Sequence, residues 1–325
     1  MPIPVVFDSD GGVDDAAALW WACTSPDVEI VAVTAVGGNV DASRAAVNLA
    51  TVLAAAGRAT TPVALGPAGP VGPVPPLRRA SAIHGADGLG DAGITPVEPR
   101  LAAEGAPELL ARATAGRTVV ATGPLSNLAR ALEVDPTWPS RVAGLVVMGG
   151  SARVGGNARP AAEANFAHDP TAAAIVAGAA WPSPPLLVGL DVTLRATLTD
   201  AEFALLAERR TPAAAFLAGP LAFYRDLGST FSAPGECPCH DLLAMMAAAH
   251  PDLVSGPELT LEVDTGGSAA WGASIVDFRE LAFARRGASA AAVGDAAASP
   301  GGRWRIGLDV DVERFRAMVR SLFGG

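Results

Sequence analysis

No lysine occurs anywhere in the 325 residues, so all 23 basic side chains other than histidine are arginines. A lysine ammonium is therefore missing from any chemistry that must neutralise a developing negative charge. Charged residues make up only 17% of the chain and acids outnumber bases, giving a formal net charge of -10. That balance repels a phosphate backbone, and no cluster of arginines with interleaved aromatics reverses it locally, which excludes nucleic acid as a partner. Cysteine is scarce as well: three residues, an odd number, provide no disulfide framework. Cys237-Pro238-Cys239-His240 has the look of half a soft-metal site, but no second Cys/His pair accompanies it and structural zinc takes four such ligands. A long uninterrupted apolar run is also absent. The most apolar stretch, Thr171 to Leu190, is broken by Pro182, Pro184 and Pro185, so it reads as helix, turn and strand rather than a membrane span. The N-terminus lacks the positive start and apolar stretch of a secretory signal, which predicts a cytoplasmic protein.

What is present is half hydrophobic, enough for a sheet buried on both faces. Strand-like runs at Pro4 to Phe7, Glu29 to Val36, Thr118 to Thr122, Gly144 to Met148 and Leu186 to Val192 alternate with helical stretches at Asp14 to Cys23, Asp41 to Ala56, Asn127 to Glu133 and Asp169 to Ala177. Aspartates at helix starts, and Pro170 in a first turn, fit N-terminal signals. Strand and helix in alternation predict an α/β fold with a mostly parallel, doubly wound central sheet, Rossmann-like, with additional helices. Helical patterns follow over Thr199 to Arg225 and Asp241 to His250, then strands at Glu258 to Val263 and Ala273 to Asp277, and a closing helix from Val312 to Phe323. Pro67 to Pro76 and Gly287 to Gly302 read as surface loops. No internal repeat and no sharp change of composition marks a linker, so residues 1–325 are read as one domain. In such sheets ligands collect at the carboxyl ends of the strands.

At the first of those ends stands Asp8-Ser9-Asp10-Gly11-Gly12-Val13-Asp14-Asp15, four carboxylates directly after a buried strand. Two like charges about 4 Å apart repel by roughly 4 kcal/mol at an effective dielectric of 20, so such a group needs a cation or shifted pKa values. A hard divalent ion is the simplest remedy, and calcium with six to eight oxygen ligands suits carboxylates and carbonyls. Helix capping by Asp14 and Asp15 accounts for only part of the cluster. A strand running into Asp8-Ser9-Asp10-Gly11 also resembles the opening of haloacid-dehalogenase-type phosphatases, with Asp8 as nucleophile and Asp10 as acid. The missing lysine counts against that reading.

With Asp14 and Asp15 included, the segment resembles the opening motif of the inosine-uridine preferring nucleoside hydrolases, with Gly11 in place of a usual proline. Further matches follow in the family's order: Gly37-Gly38-Asn39, His84 to Gly90, Thr122 to Asn127, Met148-Gly149-Gly150, Gly156-Asn157, Ala162 to Asn165, Asp169-Pro170, Gly189 to Thr193 and His240-Asp241. The resemblance spans residues 5 to 277. It implies the nucleoside hydrolase fold, cleavage of the ribose–base bond by water, and a calcium ion held by Asp10, Asp15, the carbonyl of Thr122 and Asp241. It implies further that Asp10 activates the water and that His240 assists the departing base. Asp14, Asn39, Asn157, Glu163 and Asn165 resemble the ribose-binding residues, Met148 an apolar wall, and His84 a residue lining the same region. The family's members are often dimers or tetramers, which predicts a homo-oligomer acting on a small nucleoside.

The chemistry is consistent with these roles. Breaking an N-glycosidic bond builds positive charge on the sugar, which a nest of carboxylates stabilises more than it stabilises neutral substrate. A histidine near pKa 6.5 can give a proton to a poor leaving group at neutral pH. Glu163 and Asn165, two residues apart, are expected to project the same way from an extended segment. The departures from the family pattern lie where the base should sit: Ala164 in place of a large aromatic, Leu242 in place of proline, and Ala270-Trp271-Gly272 in place of a Thr-Arg-Gly run. Trp271 is a candidate either for stacking on the base or for core packing. A ribose-binding protein that has lost turnover is the second class of reading, and retention of Asp10 and His240 argues against it.

Overall fold

Alternate residues of the first strand, β1 (Ile3–Ser9), enter different cores: Val5 and Phe7 join one apolar cluster and Val6 the other. A strand buried on both faces calls for helices on both sides of the sheet. The computed structural model describes residues 1–77, 80–228, 235–285 and 301–324, and has that layered form. After β1 come α1 (Val13–Thr24), β2 (Val28–Ala35), α2 (Ala42–Ala55), β3 (Val63–Leu65), β4 (Thr118–Ala121), β5 (Gly144–Met148) and β6 (Leu186–Val188). These strands pair in parallel in the order β3-β2-β1-β4-β5-β6, and the sheet continues through Gly302–Ile306, Glu258–Val263 and Ser274–Val276. Gly302–Ile306 is parallel to β6, whereas Glu258–Val263 runs antiparallel to it and to Ser274–Val276.

The first half of the chain builds outwards from β1 through β2 to β3, then crosses back to place β4 on β1's other side. The carboxyl ends of β1 and β4 are thus the switch point of a doubly wound α/β domain, where a crevice opens by topology alone. Helices α1, α2 and His240–Ala249 cover one face, while Ala106–Ala113, Ser126–Val134 and Pro170–Ala177 cover the other.

The structure corrects several sequence boundaries. β1 reaches Ser9, so Asp8 belongs to the strand. The stretch read as a strand over Leu186 to Val192 stops at Val188 and becomes a short helix, Leu190–Thr193, capped by Gly189. The region over Thr199 to Arg225 is two helices, Asp200–Glu208 and Pro212–Gly228. Gly302 opens a strand, whereas residues 287–300 of the predicted Gly287 to Gly302 loop lie outside the described residues. Asp41 and Asp169 do cap helices, accepting from the amides of Arg44 (2.8 Å) and Ala172 (3.0 Å). Among the described residues, no helix is long and apolar enough to cross a membrane.

Candidate active site

The acidic turn is shaped by two glycines. Gly11 has φ +69°, and a Cβ there would stand 2.7 Å from the Cα of Ala45 on α2. Gly12 follows and donates its amide to Asp15 Oδ2 at 2.9 Å, closing the turn into α1. Asp15 is fully buried, and its Oδ1 accepts from Ser9 Oγ (2.6 Å) and Thr122 Oγ1 (2.7 Å). Asp15 therefore binds the ends of β1 and β4 together across the switch point. Asp10 is held by one residue of the β2–α2 loop: Asn39 donates its amide to Oδ2 and its Nδ2 to Oδ1, both at 2.8 Å.

Asp241 arrives from the first turn of the His240–Ala249 helix. Asp14, Asp15 and Asp241 are buried, and an oxygen of each lies within 4.8 Å of the others. Asp14 Oδ1 is buried without a hydrogen-bond partner, while Oδ2 accepts from Tyr224 at 3.4 Å. Burial, and then the charge of Asp15, hold the Asp10 carboxyl well above the usual carboxylate range and push Asp14 up to about 7. Burial followed by Asp14, Asp15 and Asp10 raises Asp241 in the same way. Buried carboxyls packed together, three of them raised in part by the charge of Asp15 and one with an orphaned oxygen, form a donor set that fits a hard cation. Of the four residues read as metal ligands, Asp15 and Asp241 belong to this tight trio and Asp14 joins them. Asp10 adjoins them with both oxygens engaged by Asn39, and the Thr122 carbonyl accepts from Asn165 Nδ2 at 2.9 Å.

Asp8 stands apart from this group. It is fully buried in β1, where Oδ1 accepts from Thr34 (2.5 Å) and Asn127 (2.7 Å), and burial pushes it up to about 7. A carboxyl so enclosed is not presented as a nucleophile, which removes the support for the phosphatase reading.

The residues read as ribose ligands lie around the same crevice, but with a different local geometry from the one expected. Glu163 and Asn165 are not on an extended segment: Glu163 caps the short helix Ala164–His168 and Asn165 lies within it. Glu163 accepts the amides of Asn165 (2.9 Å), Phe166 (3.2 Å) and Gly150 (2.9 Å), and burial still raises it to about 7. Asn157 Oδ1 accepts the Ala164 amide at 2.9 Å, so both oxygen-bearing side chains organise backbone. Asn165 Nδ2 also reaches the carbonyl and sulfur of buried Met148, at 3.2 and 3.4 Å. Asn39, Ser126 and His168 line a cleft of about 1110 Å³ bounded by the segments at 36–44, 65–77 and 80–86. The residues of the acidic cluster themselves line neither this cleft nor a second groove of about 770 Å³ at the far end of α1 beside Trp21 and His250.

Next to Asp241, His240 Nδ1 lies 2.8 Å from Thr193 Oγ1, and burial lowers the imidazole to about 4, reinforced by nearby His84. His84 is buried and its Nδ1 accepts the Val13 amide at 3.1 Å. Trp271 is half-buried in the loop between Glu258–Val263 and Ser274–Val276 and, among the described residues, belongs to neither apolar core. Its neighbour Gly272 abuts Ala162 and Ala167, which sets that loop beside the Glu163 segment. Cys237 and Cys239 are buried free thiols raised by burial, and no metal-binding group among the described residues includes them.

Several supporting residues escaped the sequence reading: Ser9 and Thr122 Oγ1 on Asp15, Asn127 and Thr34 on Asp8, Thr193 on His240, and Tyr224 on Asp14. Ser9, Thr122, Asn127 and Thr193 lie within matched motifs that gave these side chains no such role, and Tyr224 stood out only as the single tyrosine of the chain.

Comparison with known proteins agrees with this geometry. The family model of inosine-uridine preferring nucleoside hydrolases matches residues 5–317. A probable uridine nucleosidase 2 of Arabidopsis thaliana is 35% identical over 267 residues, covering 81% of this chain and 82% of that protein. The solved structure of a plant nucleoside hydrolase superposes with a TM-score of 0.89 at 29% identity, with 100% of both chains covered. A purine-preferring ribonucleoside hydrolase from Gardnerella vaginalis superposes with a TM-score of 0.83 at 28% identity, covering 99% of this chain and 98% of that one.

Proposed function

The chain belongs to the inosine-uridine preferring nucleoside hydrolase family, enzymes acting on N-glycosyl bonds, and from that premise we propose a calcium-dependent ribonucleoside hydrolase releasing ribose and free base. The observation that carries the calcium requirement is the convergence of Asp14, Asp15 and Asp241 from distant parts of the chain, with the Asp14 Oδ1 atom buried and unpartnered. Asp10, Asp15, Asp241 and the Thr122 carbonyl would hold the ion, with Asp14 adjoining. When bound, calcium supplies the positive charge that lets these carboxylates stay ionised together, and coordination positions for oxygen ligands.

The protein's own groups then divide the work. Asp10, fixed by two bonds from Asn39, is the acceptor for the proton of the attacking water. The remaining carboxylates oppose the positive charge that grows on the sugar as the bond breaks. Asn39, Asp14 and Asn165 grip ribose hydroxyls, Met148 walls the sugar face, and Asn157 offers Nδ2 because its Oδ1 is taken by backbone. Glu163 shapes this wall through the amides it accepts. At the base, the lowered pKa makes His240 a neutral imidazole at pH 7, in place of the imidazolium anticipated from an ordinary histidine. With Nδ1 facing the Thr193 hydroxyl, its Nε2 is the atom left to donate a hydrogen bond to the departing base. The same reading places the enzyme in the cytoplasm, in nucleoside breakdown and salvage, as a homo-oligomer.

The test is ribose release from uridine, inosine and adenosine, with and without EDTA, followed by calcium readdition. Release that EDTA abolishes and calcium restores is the expected result. Release indifferent to chelation overturns the metal assignment, and none from any nucleoside overturns the activity.

A further inference from the structure

Helix α1 carries Asp14 and Asp15 in its first turn, yet its N-cap residue is Gly12, which has no side chain to cap with. The first amides of a helix have no partner inside it, and buried ones need an acceptor from elsewhere. Gly12 satisfies its own amide through Asp15. The Val13 amide is satisfied from another part of the chain: it donates to Nδ1 of His84, 71 residues away in sequence. A Cβ at position 12 would stand 2.6 Å from that Nδ1 and 2.5 Å from Asn39 Nδ2. The glycine is thus the condition for His84 and Asn39 to press onto the turn from two sides.

Because an amide can only donate, His84 Nδ1 must carry the lone pair, and the ring proton of the neutral imidazole sits on Nε2. The ring is enclosed, 6% exposed, with its centroid 5.2 Å from that of Tyr224, whose hydroxyl reaches Asp14. Nδ1 is also 4.0 Å from Asp14 Oδ1. We propose that His84 is a positioning residue that supplies the missing N-cap of α1 through Nδ1, and so fixes the carboxylates of Asp14 and Asp15 from the 80–91 loop. This rests on the reading of the acidic cluster as the metal and sugar site. It differs from a role for His84 on the substrate, which would run through Nε2.

The two ring nitrogens are separable by substitution. Asparagine offers Oδ1 one bond from Cγ, at the level of Nδ1, whereas glutamine places its polar atoms a bond further out, at the level of Nε2. In His84→Ala, hydrogen exchange of the Val13 amide should rise about tenfold or more, and calcium affinity measured by titration calorimetry should fall about tenfold, since a buried donor loses its acceptor. The kcat for uridine should fall with it. His84→Asn should bring all three back to within about twofold of the original protein, and His84→Gln should not. Rescue by glutamine rather than asparagine overturns the proposal in favour of substrate contact. Unchanged Val13 exchange in His84→Ala overturns it outright. A protein that binds no calcium and releases no ribose would refute the functional reading, while Val13 exchange would still decide whether His84 caps α1.

Discussion

The two sides of the crevice are built to different standards. On the side proposed to hold the sugar, Asp10 and Thr122 follow the ends of β1 and β4, adjacent strands in the parallel part of the sheet, and Asp15 lies in the first turn of α1; Asp15 accepts from Ser9 and Thr122 at 2.6 and 2.7 Å, and Asp10 from Asn39 twice at 2.8 Å. On the side proposed to meet the base, His240 begins a helix, and Trp271 rides a loop joining the two strands at the antiparallel edge. The sugar is common to all ribonucleosides and the base is not, so a fixed half and a variable half are what the substrate class demands. Relatives differ accordingly: one is named for uridine and another for purines. In the proposed reading, chemistry is carried by the switch point and selectivity by the periphery.

That division can be broken at either half, and the largest effect should come from the fixed one. Asp241→Asn removes one of the three converging carboxylates and should lower kcat/KM by about 10³-fold for every nucleoside alike, in steady-state assays with uridine and inosine. A loss confined to one base would show that the acidic cluster reads more than the sugar. His240→Ala comes next, with about 10²-fold lost from kcat. Here the loss should differ between bases, greatest for the one leaving as the poorest anion, and a uniform loss would move His240 to the common half.

A smaller effect tests how rigid the sugar side is. Burial raises Glu163 from an ordinary 4.5 to about 7 in the folded protein. Its contribution to stability is then fully present below pH 4.5 and is lost as pH rises towards 7, on the order of 3 kcal/mol in all. Glu163→Gln should flatten that slope in thermal unfolding between pH 4.5 and 7.5. It should also lower stability throughout, since an amide offers one acceptor where three backbone donors need two. An unchanged slope would mean that the three amides already hold Glu163 ionised.

The same division explains what could be read from the sequence. β1, β2 and the run from Asp8 to Asp15 were legible because buried parallel strands are continuous apolar runs and four acids after one have few explanations. Strand–helix alternation pointed to the carboxyl ends of the strands, whereas the switch point between β1 and β4 depends on the strand order. The Glu163 to Asn165 stretch was misread as an extended segment because glutamate is not a usual N-cap, and the further bond that Glu163 accepts comes from Gly150, thirteen residues earlier. The strand predicted to run to Val192 ended early because the Gly189 cap turns the chain into a helix. Thr193 on His240 and Tyr224 on Asp14 are contacts across 47 and 210 residues, and local pattern has no access to them.

The smallest predicted effect concerns Trp271, for which sequence left stacking and packing equally open. Partial burial in a loop beside the Glu163 segment favours a ring that meets ligand. Aromatic contacts contribute about 0.5 to 1.5 kcal/mol beyond area burial, so Trp271→Ala should raise KM by roughly two- to tenfold. Purines present the larger face and should suffer more than uridine, while kcat and thermal stability stay near those of the parent. The reverse result, a drop in melting temperature with KM unchanged, would make Trp271 a packing residue and leave His240 as the principal group through which the variable half meets the base.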